Sequence, residues 1–411
     1  MTPPDASDAA PGAPALSGIR VLDLTTIVFG PYATQTLADY GADVVKIEAP
    51  GGDSTRHTGP AQEPGMASLY LGSNRNKRSV VLDLKQADDR AALLALVDGA
   101  DVFIHNVRPQ KLAALGLAAA DLRARNPRLV YVGLHGFGED GPYAGRPAYD
   151  DIVQALGGAA DLMRRQSGTP GYFPTIAADK TSAQAAVHAV LAALFQRERT
   201  GRGQVVEVPM FETTTAFLMT EHLYARHLAW RDEGRPGEEA DLGYPRTLAS
   251  FRRPYRTLDG HVCVMPYTDA NWRDFFEASG RPDLAADPRF AGIGERTRHI
   301  AELYAHAGEI IATRSTADWL ALCARAEIPC APINRLEALE DDPHLRAVGF
   351  FVEVESDNGR RYRFARHPVR LGDSHVAPAA PPRLGQHTVE VLREAGVAPE
   401  AIDRIVTRGA A

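Results

Sequence analysis

From residue 19 onward, short runs of β-branched and aliphatic residues alternate with longer amphipathic stretches. The runs at 19–24 (IRVLDL), 44–47, 79–84 (SVVLDL), 101–105 (DVFIH) and 129–134 (LVYVGL) are nearly unbroken in apolar character. Such runs read as strands buried on both faces. Helix-period stretches fall between them, at 32–40 and 86–96. Pro31 opens the first of these, where its missing N–H costs nothing. Strand, helix, strand in this rhythm predicts a parallel sheet with crossover helices, because parallel neighbours need a long connection. The fold class is α/β, with a large Rossmann-like domain.

After a Gly/Pro-rich stretch at 136–147, the pattern predicts a helix from Asp151 and a loop through 168–171 (GTPG). A long alanine-rich helix from Ala177 to Gln196 and a strand at 205–208 follow. Residues 230–255 turn polar and weakly periodic, as a linker into a second domain does. That domain opens with a hairpin-like segment at 255–265, turning at Asp259-Gly260, and continues in helices rich in Trp, Phe and Leu. The proline-punctuated strand at 328–333 (IPCAPI) is expected to return the chain to the first domain, and 383–406 to be helical. The expected layout is a disordered tail at 1–15, a large Rossmann-like domain at 16–225, a smaller α+β domain with its linkers at 226–325, and a return segment at 326–411.

Composition removes several classes. The formal charge is -7, with 45 Lys+Arg against 52 Asp+Glu, so the basic excess of a nucleic-acid binder is missing. No stretch approaches the ~18 unbroken apolar residues of a membrane span, so no membrane partner is expected. The start lacks the basic segment and apolar run of a signal peptide, and a cytoplasmic location is expected. Cys263, Cys323 and Cys330 are odd in number and share no metal-ligand spacing. That argues against a disulfide framework and against a metal site, and fits a reducing compartment.

Motifs narrow the chemistry further. Residues 136–141 form a G-x-G-x-x-G after a strand, but Pro142 and Pro147 follow, so no helix starts at the third glycine. A glycine turn over a pocket fits better than a dinucleotide site. Walker, H-E-x-x-H and G-x-S-x-G signatures do not occur. A basic cluster at 74–78 (NRNKR), with Arg75 and Lys77, precedes the strand that leads to Asp83-Leu84-Lys85. On an α/β scaffold such a rim suits a phosphorylated ligand, although solvated surface is the plainer reading. Asn106-Val107-Arg108 stands at the carboxyl end of a strand, where open α/β sheets bind ligands. Asp179 sits among alanines at the start of the long helix. Two readings stay open there: a first-turn acid favoured by the helix dipole, or a nucleophile that the helix end keeps ionised.

Taken together, the stretches at 16–24 (LSGIRVLDL), 38–48 (ADYGADVVKIE), 74–85 (NRNKRSVVLDLK), 126–131 (NPRLVY), 199–204 (RTGRGQ) and 342–345 (DPHL) resemble the class III CoA-transferases. That family includes formyl-CoA transferase, carnitine CoA-transferase and α-methylacyl-CoA racemase, and the likeness runs from about Leu16 to Val406. The resemblance implies an interlocked homodimer whose large domain is built from both ends of the chain. It implies acyl-CoA and a small carboxylic acid as substrates, with no permanently bound cofactor. It places the family's nucleophilic aspartate on Asp179, passing through a mixed anhydride and an aspartyl-CoA thioester. It carries CoA contacts onto Leu82, Lys85, Asn106 and Val107, to which charge and position add Arg75, Lys77 and Arg108. Tyr149 would line the acyl pocket, and Asp150 would orient the nucleophile region.

The departures are specific. Formyl-CoA transferase has a glutamine near the nucleophile where this chain has Val28, and arginines beside CoA where it has Ala49 and Ala114; Arg108 or Lys111 would compensate. In place of that enzyme's tetraglycine loop the chain reads RTLASFRRP (246–254), whose Arg246, Arg252 and Arg253 would favour a dicarboxylate. The racemase branch, an α-proton exchange, needs a His where this chain has Tyr149, and a phenol of pKa near 10 is a poor base for that exchange. CoA transfer is the expected activity, with racemisation as the alternative.

Overall fold

The computed structural model describes residues 12–228, 242–372 and 374–409. The first eleven residues of the expected tail, and 229–241 of the expected linker, lie outside the described residues. The chain divides into two compact units. One takes the described residues of Met1–Gly157, Thr175–Thr215 and Arg346–Ala411, and the other those of Gly158–Pro174 and Ala216–Leu345.

The first unit is built on six parallel strands: β1 (Arg20–Leu24), β2 (Asp43–Glu48), β3 (Lys77–Val81), β4 (Val102–His105), β5 (Val130–His135) and β6 (Val205–Pro209), in the order β3-β2-β1-β4-β5-β6. Because side chains alternate across a strand, Val21, Val44, Val102 and Val130 enter one core while Leu22, Val45, Phe103 and Tyr131 enter the other. Both faces are covered, which is why the strands read as unbroken apolar runs. The helices Phe29–Asp39 and Ala177–Thr200 pack on the first face. Ala87–Asp98 and the terminal helices Thr388–Glu394 and Pro399–Gly409 supply the second. The third strand begins two residues earlier than its apolar run suggests, because Lys77 is buried by an ion pair rather than exposed.

The second unit holds an antiparallel sheet of β7 (Tyr255–Arg256), β8 (His261–Val264) and β9 (Cys330–Pro332). Its core gathers Trp272, Phe275, Phe276, Tyr304 and Trp319. The helices Asp269–Ala278 and Thr316–Arg325 are each opened by a capping box, at Thr268 and Ser315. The segment expected to lead back into the first domain is corrected here. Cys330–Pro332 pairs with Val262–Val264 and closes the sheet of the second unit, and the first unit resumes only at Arg346. Among the described residues, no helix is long and apolar enough to cross a membrane. A hairpin of β10 (Phe351–Glu355) and β11 (Arg361–Ala365) completes the strands of the first unit.

Several charges are buried deep in the first unit as ion pairs. Lys77 Nζ lies 3.0 Å from Asp23 Oδ2 and Lys46 Nζ lies 3.2 Å from Asp53 Oδ2, all four side chains being sealed from solvent. Burial pushes the Asp23 carboxyl upward, but Lys77 and Lys46 with the hydroxyls of Thr25 and Thr34 outweigh it and hold the group at about 2. Lys77→Met leaves buried Asp23 without its paired ammonium, with only the more distant Lys46, itself paired with Asp53, to offset its charge. The expected loss is about 3–5 kcal/mol of unfolding free energy. Chemical denaturation checks it, and a double Asp23→Asn, Lys77→Met variant is expected to recover part of the loss.

Candidate active site

The sheet order reverses its growth between β1 and β4, so their carboxyl ends frame a crevice. Two cavities open on that edge. One of about 390 Å³ is lined by Leu24, Ala49, Leu82, Lys85, Val107 and Lys111, among others. The second, of about 260 Å³, is lined by Ile27, Asn106, Arg108, the turn from His135 to Phe137, and Tyr149. Thr26 borders both. The Asn106 amide braces it, accepting from Thr26 N–H at 3.1 Å and donating to Thr26 O at 2.9 Å. Leu82, Lys85, Asn106, Val107, Arg108 and Tyr149, scattered in sequence, are thus gathered on one edge. The glycines at 136 and 145 line the second cavity, and a Cβ on Gly136 would come within 2.3 Å of the Ala148 Cβ.

Asp179 occupies the first turn of the Ala177–Thr200 helix and is 8% exposed. Asp150, at the start of the Asp150–Leu156 helix, turns its carboxylate onto that helix end. Its Oδ1 accepts the N–H groups of Ala178 at 2.7 Å and Asp179 at 3.1 Å, and its Oδ2 accepts from Gln154 Nε2 at 2.6 Å. Burial, with a smaller contribution from the Asp150 charge, pushes the Asp179 carboxyl up to about 6, while a hydrogen bond from the Phe29 backbone N–H opposes the rise. Desolvation therefore outweighs the helix dipole at Asp179, although a group at about 6 still ionises by neutral pH.

Phe29 is aimed by a turn that sequence reasoning missed. Ile27 has φ 72, a left-handed conformation that a β-branched residue adopts only under constraint. Its N–H points to both oxygens of Asp53, at 3.3 and 3.2 Å, and Asp53 is fixed in turn by Lys46, Thr55 and the Glu48–Arg56 pair behind it. Val28, buried, caps the start of the Phe29–Asp39 helix and so comes beside Asp179 through its neighbour. An acid after the Gly51-Gly52 turn was the available signal for Asp53.

Arg75 and Lys77 are corrected as ligand contacts. Arg75 precedes β3 and Lys77 opens it, at the amino edge of the sheet, and both are buried. Arg75 forks onto Asp39 at 2.9 and 2.6 Å, and Lys77 spends its ammonium on Asp23, Pro31 O and Asn74. His135 and Glu139, on the wall of the smaller cavity, and Glu207 bring possible metal-ligand atoms within 4.8 Å of one another, but they already bond among themselves. In the second unit, Arg246 is buried while Arg252 and Arg253 are exposed.

A carboxyl whose pKa folding raises from 3.8 to about 6 contributes stability below about pH 4 and loses it as pH rises through 6. Asp179→Asn carries no such charge. It is therefore expected to melt higher than the unaltered chain at neutral pH, by on the order of 2–4 °C. The gap is expected to close toward pH 4, as scanning calorimetry across pH will read.

The chain matches the family described as CoA-transferase family III over residues 16–388. It is 34% identical over 409 residues to a succinate–glutarate CoA-transferase of Agrobacterium fabrum, covering 96% of this chain and 98% of that one. It is 33% identical over 393 residues to a succinyl-CoA:mesaconate CoA-transferase of Haloarcula hispanica, covering 93% and 97%. A crystal structure of a CAIB/BAIF family protein from Brucella suis superposes with a TM-score of 0.76 at 30% identity, over 92% of this chain and 99% of that one. With its six-stranded parallel sheet and this match along nearly its whole length, the chain belongs to CoA-transferase family III and is a CoA-transferase.

Proposed function

We propose that the chain moves coenzyme A from an acyl-CoA donor to a carboxylic acid through covalent catalysis by Asp179. The observation that carries this reading is a buried carboxylate at a helix start, held by Asp150 on its backbone and by Phe29 N–H on its oxygens. Tyr149, next to Asp150, lines the smaller cavity, where the acyl group would lie. The larger cavity offers the apolar bed of Leu82 and Val107, with Lys85 and Lys111 available for phosphate. Asn106 and Arg108, which line the smaller cavity, would face the thioester.

In the first half-reaction an Asp179 oxygen attacks the thioester carbonyl, the C–S bond breaks, and CoA leaves as thiolate from a mixed anhydride. The thiolate then attacks the Asp179 carbonyl and expels the donor acid, leaving an aspartyl-CoA thioester. The acceptor carboxylate reverses both steps, and the aspartate is regenerated as acyl-CoA departs. One thioester replaces another, so the exchange is nearly thermoneutral, and covalent capture splits it into easier steps. The Phe29 N–H, which bonds the Asp179 carboxyl, would bond the oxyanion formed there when the thiolate attacks it. Short dicarboxylic acids, the class named in the two relatives above, are the proposed acceptors. Two further properties follow from the family likeness: an interlocked homodimer, which light scattering will weigh, and a reducing cytoplasmic setting, in keeping with three free thiols.

Intact-mass spectrometry after incubation with succinyl-CoA or acetyl-CoA tests the chemistry. An adduct released by hydroxylamine is expected on the unaltered protein and none on Asp179→Ala, whose kcat falls by ~10³-fold or more. The rate of adduct formation is expected to rise with pH, with its midpoint at about 6, as the carboxylate ionises. Absence of any adduct, together with α-proton exchange of a branched acyl-CoA in deuterium oxide, would move the assignment to racemisation.

A further inference from the structure

The carboxyl end of β5 gathers donor atoms that the proposed chemistry does not use. Gly133 stands opposite Glu207 in the β5–β6 register, so His135, two residues on, and Glu207 rise from the same face of the sheet. The turn after β5 brings Glu139 to them. His135 Nδ1 lies 3.3 Å from Glu207 Oε1 and 3.6 Å from Glu139 Oε1, and the Glu139 N–H donates to Glu207 Oε1 at 2.8 Å. One ligand atom from each of the three residues falls within 4.8 Å of the others. Two carboxylates that close repel each other, and an imidazole contact of 3.6 Å is too long for a hydrogen bond. No lysine or arginine among the described residues pairs with either glutamate, although Arg108 and Arg146 line the same cavity as His135 and Glu139.

Two imidazoles behind the cluster are only half satisfied. His105, 1% exposed, turns Nδ1 to Val107 O at 3.0 Å. Only an N–H bonds a carbonyl, so in the neutral ring Nε2 carries the lone pair, buried and without a partner. His135 Nε2 is likewise buried and unpartnered, and the two ring centroids lie 5.8 Å apart. A Cβ on Gly133 would stand 2.8 Å from His135 Nε2 and 3.7 Å from His105 Nε2, so glycine there leaves room for both. While neutral His135 donates from Nδ1 to Glu207, its Nε2 is a second buried lone pair beside the first. A cation on Nδ1 reverses that tautomer and moves the proton to Nε2, where His105 Nε2 is the neighbouring acceptor.

We infer that His135 Nδ1, Glu139 and Glu207 form a binding site for a divalent cation of the Mn²⁺ or Zn²⁺ type. One imidazole nitrogen with two carboxylate oxygens is a donor set those ions take, and water from the adjoining cavity completes the coordination. The ion ties the end of β5, the turn to Glu139 and β6 together beside the smaller cavity, and takes no part in acyl transfer. The expectation of no metal site rested on the cysteines, and this donor set uses none. The site does not depend on the CoA-transferase reading above.

The test is calorimetric titration of metal-stripped, full-length protein with Mn²⁺ and, separately, with Zn²⁺. One ion per chain is expected, bound at least ~10-fold more weakly by Glu139→Gln and by Glu207→Gln, which keep the shape and remove a charged ligand. Binding of neither ion overturns the inference and leaves the three side chains a hydrogen-bonded cluster. Binding that survives both substitutions unchanged also overturns it, placing the ion elsewhere, as on the thiols that Zn²⁺ favours. Thermal melting without metal serves as the folding control. Should the variants not fold, anomalous diffraction from Mn²⁺-soaked crystals of the unaltered protein decides. A peak among the three side chains supports the site, and a peak only elsewhere, or none, sinks it.

Discussion

The first unit depends on a chain of buried charges that ties three strands and the cavity-lined edge together. Asp23 on β1 holds Lys77 of β3, Lys46 of β2 holds Asp53, and Lys46 also donates to Thr25 O at 2.8 Å. Each ion has given up its water, so each is tolerable only while its partner stays in place. That mutual dependence is restrictive in a useful way. It fixes the segment between Thr25 and Phe29 in one conformation, including the left-handed Ile27, which nothing local to that turn would favour.

The geometry at Asp179 follows from that segment. Its helix end is met from one side by Asp150, which takes two backbone N–H groups, and from the other by the Phe29 N–H. A carboxylate with few waters and one aimed donor is a stronger nucleophile than a solvated one, yet it remains ionised through most of the neutral range. The same desolvation that raises its pKa is the source of its expected stability penalty at neutral pH. On the proposed mechanism, activity and stability are opposed at this one residue.

Ligand space arises from topology rather than from any single motif. Since β1 has β2 on one side and β4 on the other, the loops leaving their carboxyl ends diverge, and the two cavities lie on that edge. The second unit is organised differently, around aromatic packing beside a short antiparallel sheet.

Much of this was legible in the sequence. Unbroken apolar runs announced strands covered on both faces, helix-period stretches announced the crossovers, and the order of elements determined a parallel α/β unit. The position of Asp179 at a helix start, and of Asn106 through Arg108 at a strand end, was readable for the same reason: these are local properties of the backbone. What the sequence left open were the outcomes that depend on neighbours far along the chain. The cluster at 74–78 looked like a solvated basic rim, yet Asp39 and Asp23, more than thirty residues earlier, draw Arg75 and Lys77 inside. The strand at 330–332 looked like a return, yet its partner is Val262–Val264. The ionisation of Asp179 looked like a helix-dipole question, yet burial decides it. In each case the free energy comes from pairing or desolvation between distant segments, and only the tertiary structure brings those segments together.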